Sequence, residues 1–339
     1  MKIQATALAL VLSAIVVFGQ DAAQETPVRG GRAGRGGRGG GGGAARRELK
    51  RVAGPELGYV AVENPLHLPP NMTLASVADV AVNSKGHVFV FHRAPTPLLE
   101  FDGNGAFIRG FGEQLTSRPH GVRIDSADNL WITDVDNHVV IKMNPQGKVL
   151  MTLGEQGKNG AWDEAAGTHL LDEPTDVAFA ANGEFFVSQG HGGAPRILRF
   201  DKNGKLITSW GATPSQPGGA VNLHTIVIDK NRLVWAGDRE ARRMLVFNAT
   251  GQMQKIVPTE HFVSGLAIGP DGLLYACTGY EGQIVKEDWN AHILGVTGQP
   301  GTGLNQYGEA HHLSFGPKRE MYVADTNGSN VQKYIERAR

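Results

Sequence analysis

The sequence predicts an all-β chain folded as a six-bladed β-propeller of four-stranded antiparallel blades, its ring closed by an N-terminal strand. Three observations predict this. Short apolar runs alternate with turn signals such as "DGNG", "PQG", "KNG" and "PDG", which is how many short strands read. No long stretch carries an apolar face at three-and-four spacing, so no helical layer is expected. Six segments repeat a single strand–turn–strand pattern: "ADVAVNSKGHVFVFHR", "HGVRIDSADNLWITDV", "TDVAFAANGEFFVSQG", "HTIVIDKNRLVWAGDR", "SGLAIGPDGLLYACTG" and "HHLSFGPKREMYVADT".

The chain of 339 residues opens with Lys2 and an apolar run ending in small residues near Gly19. This is the layout of a secretory signal peptide over 1–19, so a secreted or periplasmic location is expected, with no membrane span once the leader is removed. Residues 20–52 follow as a disordered Gly/Arg-rich tail, because "RGGRAGRGGRGGGGGAARRELKR" has almost no large apolar side chain to bury. Eight basic residues in the quoted stretch, 29–51, face only Glu48, about seven net positive charges, whereas the whole chain is formally neutral. Such segments can bind RNA through charge and stacking, but no nucleic-acid module accompanies this one and no nucleic-acid partner is expected. Cys277 is the single cysteine, so no disulfide can form within the chain and stability must come from a large core or from metal.

The propeller occupies 53–339. Taking Val80, Val122, Val177, Ile226, Leu266 and Leu313 as equivalent, the units lie roughly 40 to 55 residues apart, the range of propeller repeats. Most units continue into two further strands, as in "RILRFDKNGKLITSWG", which makes four per blade. The last unit stops after its third strand at "NVQKYIE", and "GYVAVE" (58–63) stands unused ahead of the first. That strand would complete the last blade and remove two open edges.

Two residues before each equivalent position stand Ala78, His120, Thr175, His224, Ser264 and His311. Histidines therefore fall in blades two, four and six, about 120° apart in a six-fold ring, and aim at one point near the axis. Three imidazoles around an ion leave a fourth position open, the arrangement of a catalytic zinc. Thirteen residues after each equivalent position stand Arg93, Val135, Gly190, Arg239, Gly279 and Thr326. The two arginines lie across the ring from each other and suit a carboxylate-bearing substrate.

The segments "VAVNSKGHVFVFHR", "PHGVRIDSADNLWITDVDNHVVIKM", "PTDVAFAANGEFFVSQG" and "WAGDREARRMLVF" resemble the peptidyl-α-hydroxyglycine α-amidating lyases, six-bladed propellers of the wider NHL-repeat group. The resemblance runs from about Val77 to Tyr334. It implies that His120, His224 and His311 ligate zinc, that Arg93 and Arg239 line the substrate site, and that the C–N bond of a peptidyl-α-hydroxyglycine-like carbinolamide is cleaved to an amide and glyoxylate. Two departures stand out. Where the family has "SDGY", with a tyrosine as proposed base, this chain has "SQGH", so His191 takes the catalytic position and Tyr280 is an alternative. The family's structural calcium is held by backbone carbonyls matching Val80 and Val122 and by an aspartate, and His312 stands at the aspartate's position, a poor exchange for an ion that prefers oxygen. The reading is of an exported, monomeric, zinc-dependent lyase acting on a small or peptide-linked α-hydroxyglycine. The competing reading is a non-catalytic NHL-repeat propeller that binds a ligand or a protein partner.

Overall fold

Six four-stranded antiparallel sheets stand around one axis in the computed structural model, which describes residues 49–211 and 219–337. The expected leader over 1–19 and nearly all of the Gly/Arg-rich segment lie outside the described residues. Val52, at the end of that segment, is buried and exchanges hydrogen bonds with the Gln283 side chain. The innermost strands are Val77–Val82, Pro119–Ile124, Pro174–Phe179, Leu223–Ile228, Gly265–Ile268 and Ala310–Phe315. Each packs against the next and the last against the first, so the ring is closed. Blade six is completed as expected: Tyr59–Val62 pairs antiparallel with Asn330–Glu336, Tyr59 opposite Glu336 and Val62 opposite Lys333. This N-terminal strand satisfies a ladder that would otherwise end in bare N–H and C=O groups. Two small two-stranded ribbons, Trp162–Asp163 with Thr168–His169 and Gln299–Pro300 with Gln306–Tyr307, stand outside the blades and were not anticipated by the repeat pattern.

The period of two along each strand explains runs such as "VFVF". In blade one, Phe89 and Phe91 pack against blade two, together with Val122, Leu130 and Ile132. Val88 and Val90 face the other way, onto Tyr322 and Ala324 of blade six. Both faces of this second strand of blade one, Val88–His92, are therefore buried, which favours continuous apolar runs over alternation. Six apolar clusters result, one at each blade–blade interface. Each large side chain in them contributes roughly 1.5–3 kcal/mol by burial.

The innermost strands are not regular. Register shifts interrupt their pairing between Val77 and Asp79, Pro119 and Val122, Pro174 and Asp176, Leu223 and Thr225, and Ala310 and Leu313. A bulge leaves the extra residue unpaired and re-aims its side chain. Here the unpaired residues include Ala78, His120, Thr175, His224 and His311, so the bulges turn these positions toward the axis and free their backbone groups for other partners.

Candidate metal centre and pocket

The three histidines predicted to converge do so. The rings of His120 and His224 lie 4.6 Å apart, those of His120 and His311 5.0 Å, and those of His224 and His311 4.9 Å. All three are buried. Their tautomers follow from their partners. Each Nδ1 sits against a backbone carbonyl: His120 against Thr175 at 2.8 Å, His224 against Ser264 at 2.6 Å and His311 against Ala78 at 2.6 Å. A carbonyl only accepts, so Nδ1 carries the hydrogen and Nε2 keeps a lone pair. The residues at the equivalent positions of blades one, three and five thus do more than leave room; their carbonyls orient the histidines of the neighbouring blades.

Lone pairs now converge. His120 Nε2 and His224 Nε2 are 3.2 Å apart, and neither has a hydrogen to offer the other. Burial, followed by neighbouring histidines and arginines, holds all three pKa values well below the ordinary 6.5, so the rings are neutral. Neutral nitrogens converging this closely are the donor set of a transition metal with imidazole preference. His312 adjoins them, and ring nitrogens of His120, His224, His311 and His312 all lie within 4.8 Å of one another.

The even blades share a further device that the sequence reading overlooked. Fourteen residues after each histidine stands a buried aspartate: Asp134, Asp238 and Asp325. Asp134 accepts from the N–H groups of Ser117 and Arg118, Asp238 from Val221 and Asn222, and Asp325 from Gly308 and Glu309. Each aspartate therefore fixes the loop that delivers its histidine, and with it the direction of the ring. The constant His-to-Asp spacing was a readable signal.

Above the histidines opens a cavity of about 170 Å³ lined by Arg93, Arg118, His191, Arg239, Tyr280 and Glu309, among others. Arg93 donates from Nε to the Pro119 carbonyl (3.2 Å) and from Nη1 to Ser76 Oγ (3.3 Å). Among the described residues no carboxylate forms an ion pair with it. Arg239 is differently engaged: its Nη2 lies 2.6 Å from Glu240, its Nη1 3.8 Å from Glu309, and Nη1 donates to His224 Nε2 at 2.8 Å. His191 Nε2 stands 2.9 Å from His120 Nε2. Burial, then the charges of Arg239, Arg118 and Arg93, pushes His191 down to about 3. Tyr280 is nearly half exposed at the cavity rim. Arg118 and Glu309 were not singled out in the sequence. Glu309 is buried, and burial raises its carboxyl above the ordinary range despite Arg239 and Arg93.

Below the histidines, next to Val80, Val122 and His312, the residues expected to hold a second metal ion, stands one protein cation, Arg123. The Val80 and Val122 N–H groups donate to the two oxygens of Asp79 (2.7 and 2.8 Å). The Arg123 guanidinium lies against Asp79, Asp176 and His312. Calcium needs six to eight oxygen ligands, and a nitrogen-bearing, guanidinium-filled site does not fit it.

The chain is similar to known proteins. An NHL repeat matches residues 116–142. A probable peptidyl-alpha-hydroxyglycine alpha-amidating lyase of Caenorhabditis elegans is 28% identical over 298 residues, covering 77% of this chain and 83% of the relative. The peptidyl-glycine alpha-amidating monooxygenase B of Xenopus laevis is 28% identical over 78% of this chain, which spans only 34% of that longer protein. Among solved structures, a streptogramin B lyase matches with a TM-score of 0.59 at 13% identity, over 82% of this chain and 97% of its own, a likeness of fold.

Proposed function

Starting from a chain related over most of its length to amidating lyases, we propose that it is an exported, zinc-dependent lyase that cleaves a peptidyl-α-hydroxyglycine-like carbinolamide to an amide and glyoxylate. The observation that carries this reading is the set of three Nε2 lone pairs, each fixed by an Nδ1–H···O=C bond, facing an arginine-lined cavity.

His120, His224 and His311 would hold the metal through Nε2. When bound, zinc supplies Lewis acidity that favours the ionised form of a substrate hydroxyl. Arg93, which has no carboxylate partner among the described residues, would bind the substrate carboxylate and fix the reacting carbon over the histidines. Arg239 is already shared with Glu240 and Glu309, so its role would be to shape the pocket and meet the same carboxylate from the opposite wall. With the His120 lone pair given to the metal, His191 would no longer need its hydrogen on Nε2, and in the Nδ1–H tautomer that nitrogen would receive the hydroxyl hydrogen as the C–N bond opens, while Glu309 in the cavity wall would return a proton to the departing amide nitrogen. Neutral His191 is a weak base, and the polarised hydroxyl must make up the difference. The leader over 1–19 supports export, and the acid-binding pocket supports a small or peptide-linked substrate.

The test measures zinc content and glyoxylate release from a hydroxyglycine peptide for the wild type and for His120→Ala, His224→Ala and His311→Ala. Each variant should lose zinc and lose glyoxylate release together. Full zinc in every variant would reject the site. Stoichiometric zinc in the wild type without glyoxylate would reject the reaction and favour a propeller that only binds.

A further inference from the structure

Beneath the three histidines the channel is crossed by one buried side chain. Arg123, from the inner strand of blade two, directs Nη1 to Asp79 Oδ2 of blade one at 3.2 Å and Nη2 to Asp176 Oδ2 of blade three at 2.8 Å. Nη2 also lies 3.2 Å from Nδ1 of His312 in blade six. Both aspartates are fully buried. Their remaining capacity is spent on the chain around them. Asp79 accepts from the N–H groups of Val80 and Val122, and Asp176 from those of Val177 and Ile226 and from the Thr225 hydroxyl. Blades one, two, three, four and six are thereby joined at one point, and the charge at its centre is a guanidinium.

The contact with His312 has a second consequence. A guanidinium has no lone pair to give, so His312 Nδ1 must accept. A neutral imidazole that accepts through Nδ1 carries its hydrogen on Nε2. The His312 Nε2 is buried and finds no partner among the described residues. A protonated Nε2 cannot ligate, so His312, although within reach of the other three, would have to change tautomer and give up Arg123 to join them, whereas His224, which accepts from Arg239 through the same lone pair it would give a metal, need change no tautomer.

We infer that Arg123 is the built-in second cation of this channel: it fills the position that a structural metal ion would occupy, and by fixing the His312 tautomer it holds the centre above to three protein ligands with an exchangeable fourth position. The first half stands on the Arg123–Asp79–Asp176 geometry alone; the second rests on the zinc reading of the three histidines.

The experiment uses the full-length protein and its Arg123→Met and Arg123→Lys variants, with melting followed with and without added Ca²⁺ after treatment with a calcium-selective chelator. The wild type should melt at the same temperature in both conditions. Arg123→Met should melt on the order of 10 °C lower, because two buried carboxylates lose their partner, and Ca²⁺ should recover part of the loss. Arg123→Lys keeps a charge but not the fork, and should melt between the two without responding to Ca²⁺. A wild type that is stabilised by Ca²⁺, or an Arg123→Met protein as stable as wild type, overturns the inference. If Arg123→Met does not fold, the wild-type and Arg123→Lys titrations still decide it. The second half is read from the visible spectrum of Co²⁺-substituted protein on adding acetate. Wild type should change, reporting an open position, and Arg123→Met should not, because the freed His312 closes it. Equal acetate responses would reject the tautomer argument, whereas failure of the wild type to take up one Co²⁺ would reject the zinc reading and leave the calcium result standing.

Discussion

Acidification of the metal-free protein tests the electrostatics of the channel most directly. His120, His224, His311 and His312 are fully buried, and burial is the largest cause holding each well below 6.5. In the unfolded chain each would titrate near 6.5. Between that value and the depressed folded one, the unfolded state binds more protons, so stability rises with pH and is lost as pH falls below about 6.5. From pH 7.5 to 5.5 this linkage amounts to about 1.4 kcal/mol per histidine, or roughly 5–6 kcal/mol for the four. Such a loss is comparable with the whole stability of many domains. The assay is urea unfolding of chelator-treated protein, followed by tryptophan fluorescence at the two pH values. His120→Gln should reduce the difference by about one histidine's share, about 1.4 kcal/mol. A wild-type difference no larger than one such share would refute the reasoning, because it would mean that the channel accepts protons when no metal is bound. Saturating zinc should raise stability at pH 7.5 and lose that effect on acidification, since ligation requires neutral imidazoles.

Three other outcomes follow from the geometry. A Cβ at Gly190 would lie 2.1 Å from the Leu223 carbonyl oxygen and 2.6 Å from Leu223 N, both backbone atoms. Gly190→Ala should therefore push the strand bearing His224 and weaken metal affinity roughly 10- to 100-fold while the circular dichroism stays β-rich; unchanged affinity in a chelator competition would count against the close fit. Removal of residues up to Val62 strips the partner from Asn330–Glu336, and the bared edge should drive association visible by light scattering; a monodisperse truncated protein would show that closure is dispensable. Buried His261 lies 3.2 Å from Glu287, and although burial lowers its pKa, the hydrogen bond and charge of Glu287 raise it on balance. The pair's contribution is complete below about 6.5 and lost as pH rises through the folded value. His261→Gln should then cost about 3 kcal/mol at pH 6 and less at pH 9 in urea unfolding; a gap that widens with pH would reverse the sign.

The blade count, the closing strand 58–63 and the convergence of His120, His224 and His311 were legible because a repeat forces equivalent positions into equivalent places. Once six units are equivalent and the ring closes, a residue type recurring in alternate units must meet itself at the axis, with no knowledge of any single contact. The aspartates fourteen residues beyond each histidine obey the same rule and could have been read in the same way. Glu309 and Arg123 could not. No other blade has an arginine at the position of Arg123, and the one acid that matches Glu309, Glu173 of blade three, does not line the cavity; the partners of both come from other blades far away in sequence: Arg239 for Glu309, and Asp79, Asp176 and His312 for Arg123.

Sequence by itself determined the architecture and which imidazoles share a centre, because pattern and period act through local backbone geometry and symmetry. Only the tertiary structure decided the protonation of those imidazoles and the occupant of the channel beneath them. Tautomers are set by which atom lies opposite each ring nitrogen, and the cation at the floor is set by charge balance among buried groups from several blades. Both depend on distances of a few ångströms between residues that the chain order keeps apart.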